Sequence, residues 1–454
     1  MKIKLLLPGS LLLLSCMALQ AQEKQLSLDE AIAIAVTKST EATLAETRVA
    51  TSQLNVDNVK NNVYPDFKIS GQYLRVTNPT INIRRGLTGT GTSEPGEGEE
   101  QETTTSSPKV NQVMLGQATL SMPIFSGFRL KNNIAASETL YKAETFNAAN
   151  TKEQVALQTI VLYANLYKAQ QSVKLIEENL KSANQRVTDF TAMEQNGLLA
   201  RNDLLKSQLQ ASNIQLTLDD AKKQVSVLNY QLATLLKLPE GTKVAVNDAY
   251  FKNSGSITPS VSAAEAVAQR NDLEALRLQH KASESEIKIQ KADYYPSVSF
   301  TAGYVALDIQ NVVQVYNAVN FGVGFSYDIA NVFKNSKKVK AAESRAKETE
   351  QQVEILTDRV KVEVQQALEN YNFAIKQNNV YTEAVTQSDE NYRIVKDKYD
   401  NGLVDTNDLL EADVQKLQAQ LNQAFSKADI TQRFYELLNA SGKLTNSFNL
   451  TQNK

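Results

Sequence analysis

Apolar residues recur along this chain with two different periods. From Val155 to Phe190 every third or fourth position is apolar or small: Val155, Thr159, Leu162, Leu166, Ala169, Val173, Ile176, Leu180, Ala183, Val187 and Phe190. The same spacing returns as Val360, Val364, Ala367, Tyr371, Ala374, Asn378, Tyr381, Val385, Ser388, Tyr392 and Val395, and again as Leu410, Val414, Leu417, Leu421, Ala424 and Ala428. A 3-4 alternation held for about five heptads predicts long helices in a left-handed coiled coil. Its small and polar members, such as Thr159, Ala169, Asn378 and Ser388, point to several neighbours per helix. No Pro or Gly interrupts residues 137–195. A helix of that length spans on the order of 90 Å at 1.5 Å per residue.

The second period is two. In "VSFTAGYVA" (298–306), Val298, Phe300, Ala302, Tyr304 and Ala306 share one face, and Ser299, Thr301 and Gly303 the other. In "VNFGVGFSY" (319–327), Val319, Phe321, Val323, Phe325 and Tyr327 oppose Asn320, Gly322, Gly324 and Ser326. "FKISGQY" (67–73) and "MLGQATLSM" (114–122) are weaker versions. This alternation predicts four strands, at about 66–76, 113–123, 297–307 and 318–328. A half-buried soluble hairpin shows the same alternation. The small, polar second face favours a bilayer-spanning barrel around a wet lumen. Four strands are too few to close a barrel, and open edges do not sit in lipid, so spanning strands require several chains to pool them. The alternation does not choose between eight strands and twelve.

The elements form two copies of one unit. "KNNVYPDFKISGQYL" (60–74) matches "KADYYPSVSFTAGYV" (291–305), with Tyr64 on Tyr295, an offset of 295 − 64 = 231. "LSMPIFSGFRLKNN" (120–133) matches "FSYDIANVFKNSKK" (325–338), with Ser121 on Ser326, an offset of 205. The phrases "NGLLARNDLL" (196–205) and "NGLVDTNDLL" (401–410) keep that offset. The difference, 231 − 205 = 26, places an insertion of that size within 77–112 of the first copy. Its Gly/Ser/Thr/Glu-rich text reads as a solvated loop outside the cell. The expected organisation is a leader at 1–21, a first repeat at 22–237, a linker at 238–260, a second repeat at 261–442 and a tail at 443–454. Each repeat ends in a helical hairpin whose tip lies at about 196–203 or 401–408.

Composition removes several functions. Lys+Arg is 48 against Asp+Glu 50, so no basic surplus argues for nucleic acid. One His (His280), one Cys (Cys16) and no Trp leave no Ser-His-Asp or Cys-His set. No glycine-rich phosphate loop precedes a helix. Neither an enzyme nor a cofactor is expected. The N-terminus, "MKIK" followed by "LLLPGSLLLLS", reads as an export signal cleaved after Ala21. "LLSC" is the rival signal, for lipidation at Cys16.

The chain resembles the TolC-like outer-membrane efflux proteins across nearly all its mature length. The likeness rests on "YP" before the odd strands, "PIFSGF" between strand and helix, and "NGL…DLL" at each tip, in order and twice. The resemblance implies a homotrimer in which three chains share a twelve-stranded outer-membrane barrel, continued by an α-helical tunnel through the periplasm. It implies a periplasmic adaptor and an inner-membrane pump or secretion ATPase as partners. By the same resemblance, Asp408 and Glu411 narrow the periplasmic end. Tyr399 matches the gate tyrosine and Asp203 its acidic partner. Val404 stands where the family has a gate arginine, with Arg201 on the neighbouring tip as a substitute. Gly197, Leu198, Gly402 and Leu403 fall at the tips that meet the adaptor. The plainer reading of Asp203 and Asp408 is helix capping. Five Met and one His give no support to metal cargo. The alternative function is a soluble periplasmic coiled-coil scaffold, which leaves the four strands unexplained.

Overall fold

The computed structural model describes residues 23–77, 110–247, 249–252 and 261–448. The leader with Cys16, most of the 77–112 insertion, part of the linker and the end of the tail lie outside the described residues. The elements run β1 (Glu23–Leu26), α1 (Leu28–Lys38), α2 (Thr40–Asn61), β2 (Asp66–Arg75), β3 (Gln112–Ser126), α3 (Arg129–Gln195) and α4 (Arg201–Leu235). They continue through β4 (Lys243–Val246), α5 (Ala249–Lys252), α6 (Ala263–Gln269), α7 (Asn271–Lys291), β5 (Ser297–Ile309) and β6 (Val313–Ser326). Helices α8 (Ile329–Asp400), α9 (Thr406–Ala440) and α10 (Leu444–Ser447) complete the chain.

The two offsets reappear in three dimensions. The α1–α2 break at Ser39 and the α6–α7 break at Arg270 are both extended residues, and 270 − 39 = 231. Asp66 pairs with Ser121, and Ser297 pairs with Ser326; the differences are 297 − 66 = 231 and 326 − 121 = 205. Helices α3 and α8 end at Gln195 and Asp400, and α4 and α9 start at Arg201 and Thr406, each 205 apart. One place departs from this correspondence. Strand β3 runs on to Ser126 through a bulge between Pro123 and Phe125 that keeps it paired with β5. At the matching place of the second repeat, β6 has ended and α8 begins at Ile329. Pro123 is tolerated because β2 has already stopped opposite Ser121, so no neighbour on that side needs its missing N–H. At the other end β6 starts at Val313 rather than near 318. Tyr316 and Asn317 break the alternation there, and the β5–β6 turn closes at Asn311 with φ 63°.

The chain divides into two compact units. One comprises residues 51–142 and 277–351. It holds an antiparallel sheet in the order β2-β3-β5-β6. Directly opposed residues of antiparallel strands project to the same side. The ladder Phe67–Leu120–Ala302–Phe321 therefore puts one residue of each strand on one face, as does Ile69–Ala118–Tyr304–Val319. The same register collects Lys68, Thr119, Gly303 and Asn320 on the opposite face. The apolar face is bare: Phe67, Ile69, Val319, Phe321, Val323 and Phe325 are all exposed. Hiding such side chains from water is worth about 1.5–3 kcal/mol each, so this face demands an apolar environment. Among the described residues β2 and β6 each have a strand on one side only. Beneath the strands Gly127 (φ 61°) allows a close turn, since a Cβ there would meet the Ala292 carbonyl at 2.5 Å. Asp293 then ties Arg129 of α3 to Lys338 of α8.

The other unit comprises residues up to 50, 143–276 and 352 onward. Its core gathers Leu26, Leu28 and Ile32 with Ile160, Tyr163 and Leu166 of α3, Leu232 of α4 and Leu236 just after it, Phe251 of α5 and Leu438 of α9. Strand β1 pairs in parallel with β4. The Tyr163 hydroxyl donates to the Leu26 carbonyl (2.6 Å) and accepts from the Asn247 amide (3.1 Å), which clamps both strands. The expected linker thus contains a strand. The expected tail opens with α10, whose Leu444 is fully buried. On α3 none of the eleven stripe residues is exposed. On α9 the stripe read from the sequence departs at one residue: Val414 is 55% exposed, while its neighbours Leu409, Ala412, Asp413 and Ala419 are buried, and the stripe's Ala428 lies fully buried in the core. Of the counterparts of those four neighbours on α4, Leu204, Ser207 and Ile214 are buried and Gln208 is exposed. The buried carboxylate of Asp413 holds an inward place that an apolar period does not mark.

Candidate functional site

Each hairpin turns through the same hydrogen bonds. Gly197 (φ 70°) and Gly402 (φ 72°) are left-handed. The Gly197 amide donates to the Glu194 carbonyl at 2.9 Å and the Leu198 amide to the Met193 carbonyl at 2.8 Å. In the second hairpin Gly402 donates to Tyr399 at 2.9 Å and Leu403 to Lys398 at 2.8 Å. This pair of bonds satisfies carbonyls that a helix end leaves open, and the left-handed residue suits glycine. Asn196 and Asn401 each donate a side-chain amide back four residues, to the carbonyls of Ala192 (2.7 Å) and Asp397 (2.6 Å). The turns present Leu198 and Leu403 to solvent at 74% and 73% exposure.

The outgoing helices start differently. The Asp405 carboxylate caps α9, accepting from the amides of Asn407 (2.8 Å) and Asp408 (3.2 Å). At the equivalent place in α4 stands Ala200, which offers no side-chain cap. Capping is therefore not the role of Asp203 or Asp408. Both lie in the first turn, where negative charge complements the helix dipole. Asp408 is exposed, and Glu411, one turn on, is exposed and accepts from the Gln415 amide at 3.0 Å. Asp203 pairs with Lys206 (3.4 Å), and Arg201 with Glu194 (3.3 Å) of its own hairpin. Tyr399 stacks on Phe190, with centroids 5.8 Å apart. Among the described residues no hydrogen bond joins Tyr399 to Asp203.

A half-open cavity of about 930 Å³ lies at the tips, lined by Phe190, Tyr392, Tyr399, Lys181, Lys396 and Val404, among others. Val404 faces it with no charge to offer. The charge that does join the two hairpins lies deeper, and sequence reasoning missed it. Arg186 of α3 donates to Asp413 of α9 at 3.0 Å, with side chains 9% and 5% exposed. The other oxygen of Asp413 accepts from Asn179 at 3.1 Å. Burial of a charged pair is tolerable only when both members are satisfied in this way. Lys168 and Asp429 make a second α3–α9 pair. A carboxylate at an inward 3-4 position of α9 was the signal available in the sequence.

No helix among the described residues is long and apolar enough to cross a membrane. Among them no three His, Cys, Asp or Glu side chains converge into a metal site.

Comparison with known proteins gives a consistent result. A family profile described as "Outer membrane efflux protein" matches residues 19–236 and 263–443. The outer membrane efflux protein BepC of Brucella suis biovar 1 (strain 1330) is 23% identical over 328 residues, 72% of this chain and 71% of that protein. The fold is shared with the Campylobacter jejuni CmeC outer membrane channel, at TM-score 0.75 and 17% identity over 92% of this chain and 86% of that one. It is shared with the outer membrane protein VceC of Vibrio cholerae, at TM-score 0.72 and 16% identity over 91% and 96% of the two chains.

Proposed function

Since the chain belongs to the outer membrane efflux protein family, we propose that three copies pool their strands into one twelve-stranded barrel and their helices into one tunnel. As a member of the family it is the outer-membrane channel of an efflux system, with its helical part in the periplasm. The observation that carries the trimer is the sheet. Its apolar face runs unbroken across four strands, and among the described residues β2 and β6 each have a strand on one side only. Lipid satisfies the face, and only further strands satisfy the edges. Three times four strands is a size that leaves an aqueous lumen on the side of Lys68, Thr119 and Asn320. A soluble scaffold would have to leave the same face in water.

Conduction is passive in this reading, and the chain supplies shape and charge. Asp408 and Glu411 are three residues apart, so they share a helix face. Three copies around one axis would form two acidic rings at the narrow end. Crowded carboxylates attract cations and repel anions. The protruding Leu198 and Leu403, held by Gly197 and Gly402, would dock a periplasmic adaptor that connects to an inner-membrane pump or secretion ATPase. Arg201 and Asp203, engaged within their own hairpin, would trim the rim of that tip, and Tyr399 on Phe190 would line its wall. Extraction tests the assembly. The protein should require detergent and show the mass of three chains by light scattering. A compact, non-conducting monomer in mild detergent would refute the channel.

A further inference from the structure

Toward the helices, the apolar face of the sheet ends in aromatic rings. Phe125, opposite Val298, meets Phe128 edge-on with centroids 5.3 Å apart, and Phe128 meets Tyr295 in the same way at 6.2 Å. Phe128 and Tyr295 stay exposed despite these contacts. The second repeat places Phe333 (128 + 205) at the matching position, in the first turns of α8. Phe333 is 80% exposed, and Ile329, four residues before it, is exposed as well. The bare apolar surface thus continues past the end of β6 onto a helix.

The same side of α8 then turns basic. Asn335, Val339, Ala342 and Ala346 are buried, so Ile329, Phe333, Lys337 and Lys340 share the opposite side. At 1.5 Å per residue the two lysines lie about 6 Å and about 10 Å beyond Phe333. Helical side chains lean toward the N-terminus, which in α8 is the end nearer the sheet. Lys334 adds a third charge beside them. Among the described residues none of the three lysines has a carboxylate within ion-pair distance. The nearby acids are engaged elsewhere: Asp293 with Arg129 and Lys338, Glu343 with Lys291, and Asp328 with the Asn331 amide at 3.2 Å. The duplication shows that the helix folds without these charges. Where α8 has Lys337 and Lys340, α3 has Asn132 and Ala135; where it has the free Lys334, α3 has Arg129, already bound by Asp293. In the trimer proposed above β6 joins β2 of the next chain. The residue of that chain equivalent to Asp293 is Asn62 (293 − 231), so no carboxylate arrives at that place either.

We infer that the first turns of α8 lie in the headgroup layer of the periplasmic leaflet, with Ile329 and Phe333 at the acyl boundary and Lys334, Lys337 and Lys340 on the phosphates of anionic phospholipids. The inference rests on the lipid-facing sheet proposed above. A ring suits that boundary, and a lysine stem can cover apolar surface while its ammonium reaches the headgroup. A zwitterionic lipid carries its own cation beside the phosphate, so lipids with net negative charge are preferred.

The chain has no Trp, so one introduced ring reports its own surroundings. Phe333→Trp and, as a mid-sheet reference, Phe321→Trp replace exposed rings and leave the core intact. Each protein is reconstituted in vesicles of phosphatidylethanolamine and phosphatidylglycerol, with bromine on the acyl chains of one lipid or the other. Both lipids should quench the ring at 321 to the same degree. At equal mole fraction, brominated phosphatidylglycerol should quench the ring at 333 at least twofold more than brominated phosphatidylethanolamine. Adding Lys334→Gln/Lys337→Gln/Lys340→Gln, or raising the salt, should erase that difference. Quenching at 321 but not at 333 would put α8 in water and overturn the inference while leaving the channel standing. No quenching at either position would take the sheet itself out of lipid. Equal quenching of the ring at 333 by the two lipids, with the lysines in place, would overturn the preference for anionic lipid. Inorganic phosphate at constant ionic strength should leave the difference intact; its loss would make the lysines a site for free phosphate and overturn the lipid assignment.

Discussion

The chemistry that distinguishes the two hairpin tips comes down to single side chains on one shared frame. Gly197 and Gly402 are held identically and have open space where a Cβ would stand. A side chain there meets only the left-handed penalty of about 1–2 kcal/mol. Gly402→Trp should therefore leave the amount of assembled protein nearly unchanged while blocking adaptor engagement. Susceptibility of cells to exported drugs reports the second effect and immunoblotting the first; an unaltered susceptibility would remove the tip from the docking surface. Asp408 and Glu411 are exposed rather than committed to capping, since Asp405 holds that role. Replacing both with Ala should weaken cation selectivity and relieve block by divalent cations added from the periplasmic side. Reversal potentials under a salt gradient measure the first, and wild-type channels without cation preference would return both residues to ordinary surface positions.

Among the elements, the sheet makes the firmest demand. Phe321 lies mid-strand on the bare apolar face, and its chain neighbour Asn320 lies on the other. Phe321→Arg should cost about 2–4 kcal/mol if that face meets the bilayer midplane, whereas Asn320→Asp should be tolerated. Heat-resistance of the folded barrel on gels separates them, and equal tolerance would mean that the face is not in lipid. These strands were legible because alternation survives in Val298–Ala306 and Val319–Phe325, and because the helical stripe of α3 is nearly free of polar intruders. The ends were harder. Pro123 reads as a stop, yet β3 passes it because its neighbour has already ended. Strands β1 and β4 are four residues each, too short for any period to show. Asp413 sits where an apolar residue belongs, so the α9 stripe took the exposed Val414 in its place. The acidic tip residues were visible by position in the repeated phrase, while Arg186 drew no notice because a lone arginine on a long polar helix is ordinary.

At the scale of the whole molecule, the chain is a duplicated unit with, among the described residues, two free strand edges in one unit and exposed apolar helix positions in the other. One feature of its core also fixes when it can form. Strand β1 at the start pairs with β4 midway, and both pack with Leu438 near the end. That unit is sewn from three stretches of sequence, so closing it means bridging very long loops before any reward is collected. An exported chain emerging from its N-terminus must wait, leucine stripes uncovered, until α9 has crossed. The periplasmic intermediate is thus long-lived and prone to capture by holdase chaperones and proteases. A chain stopped at Asn401 keeps all four strands of the sheet but lacks α9, and pulse-chase labelling should find it degraded rather than assembled. Its survival as a folded trimer would mean that the barrel sets the timetable and the helical core merely follows.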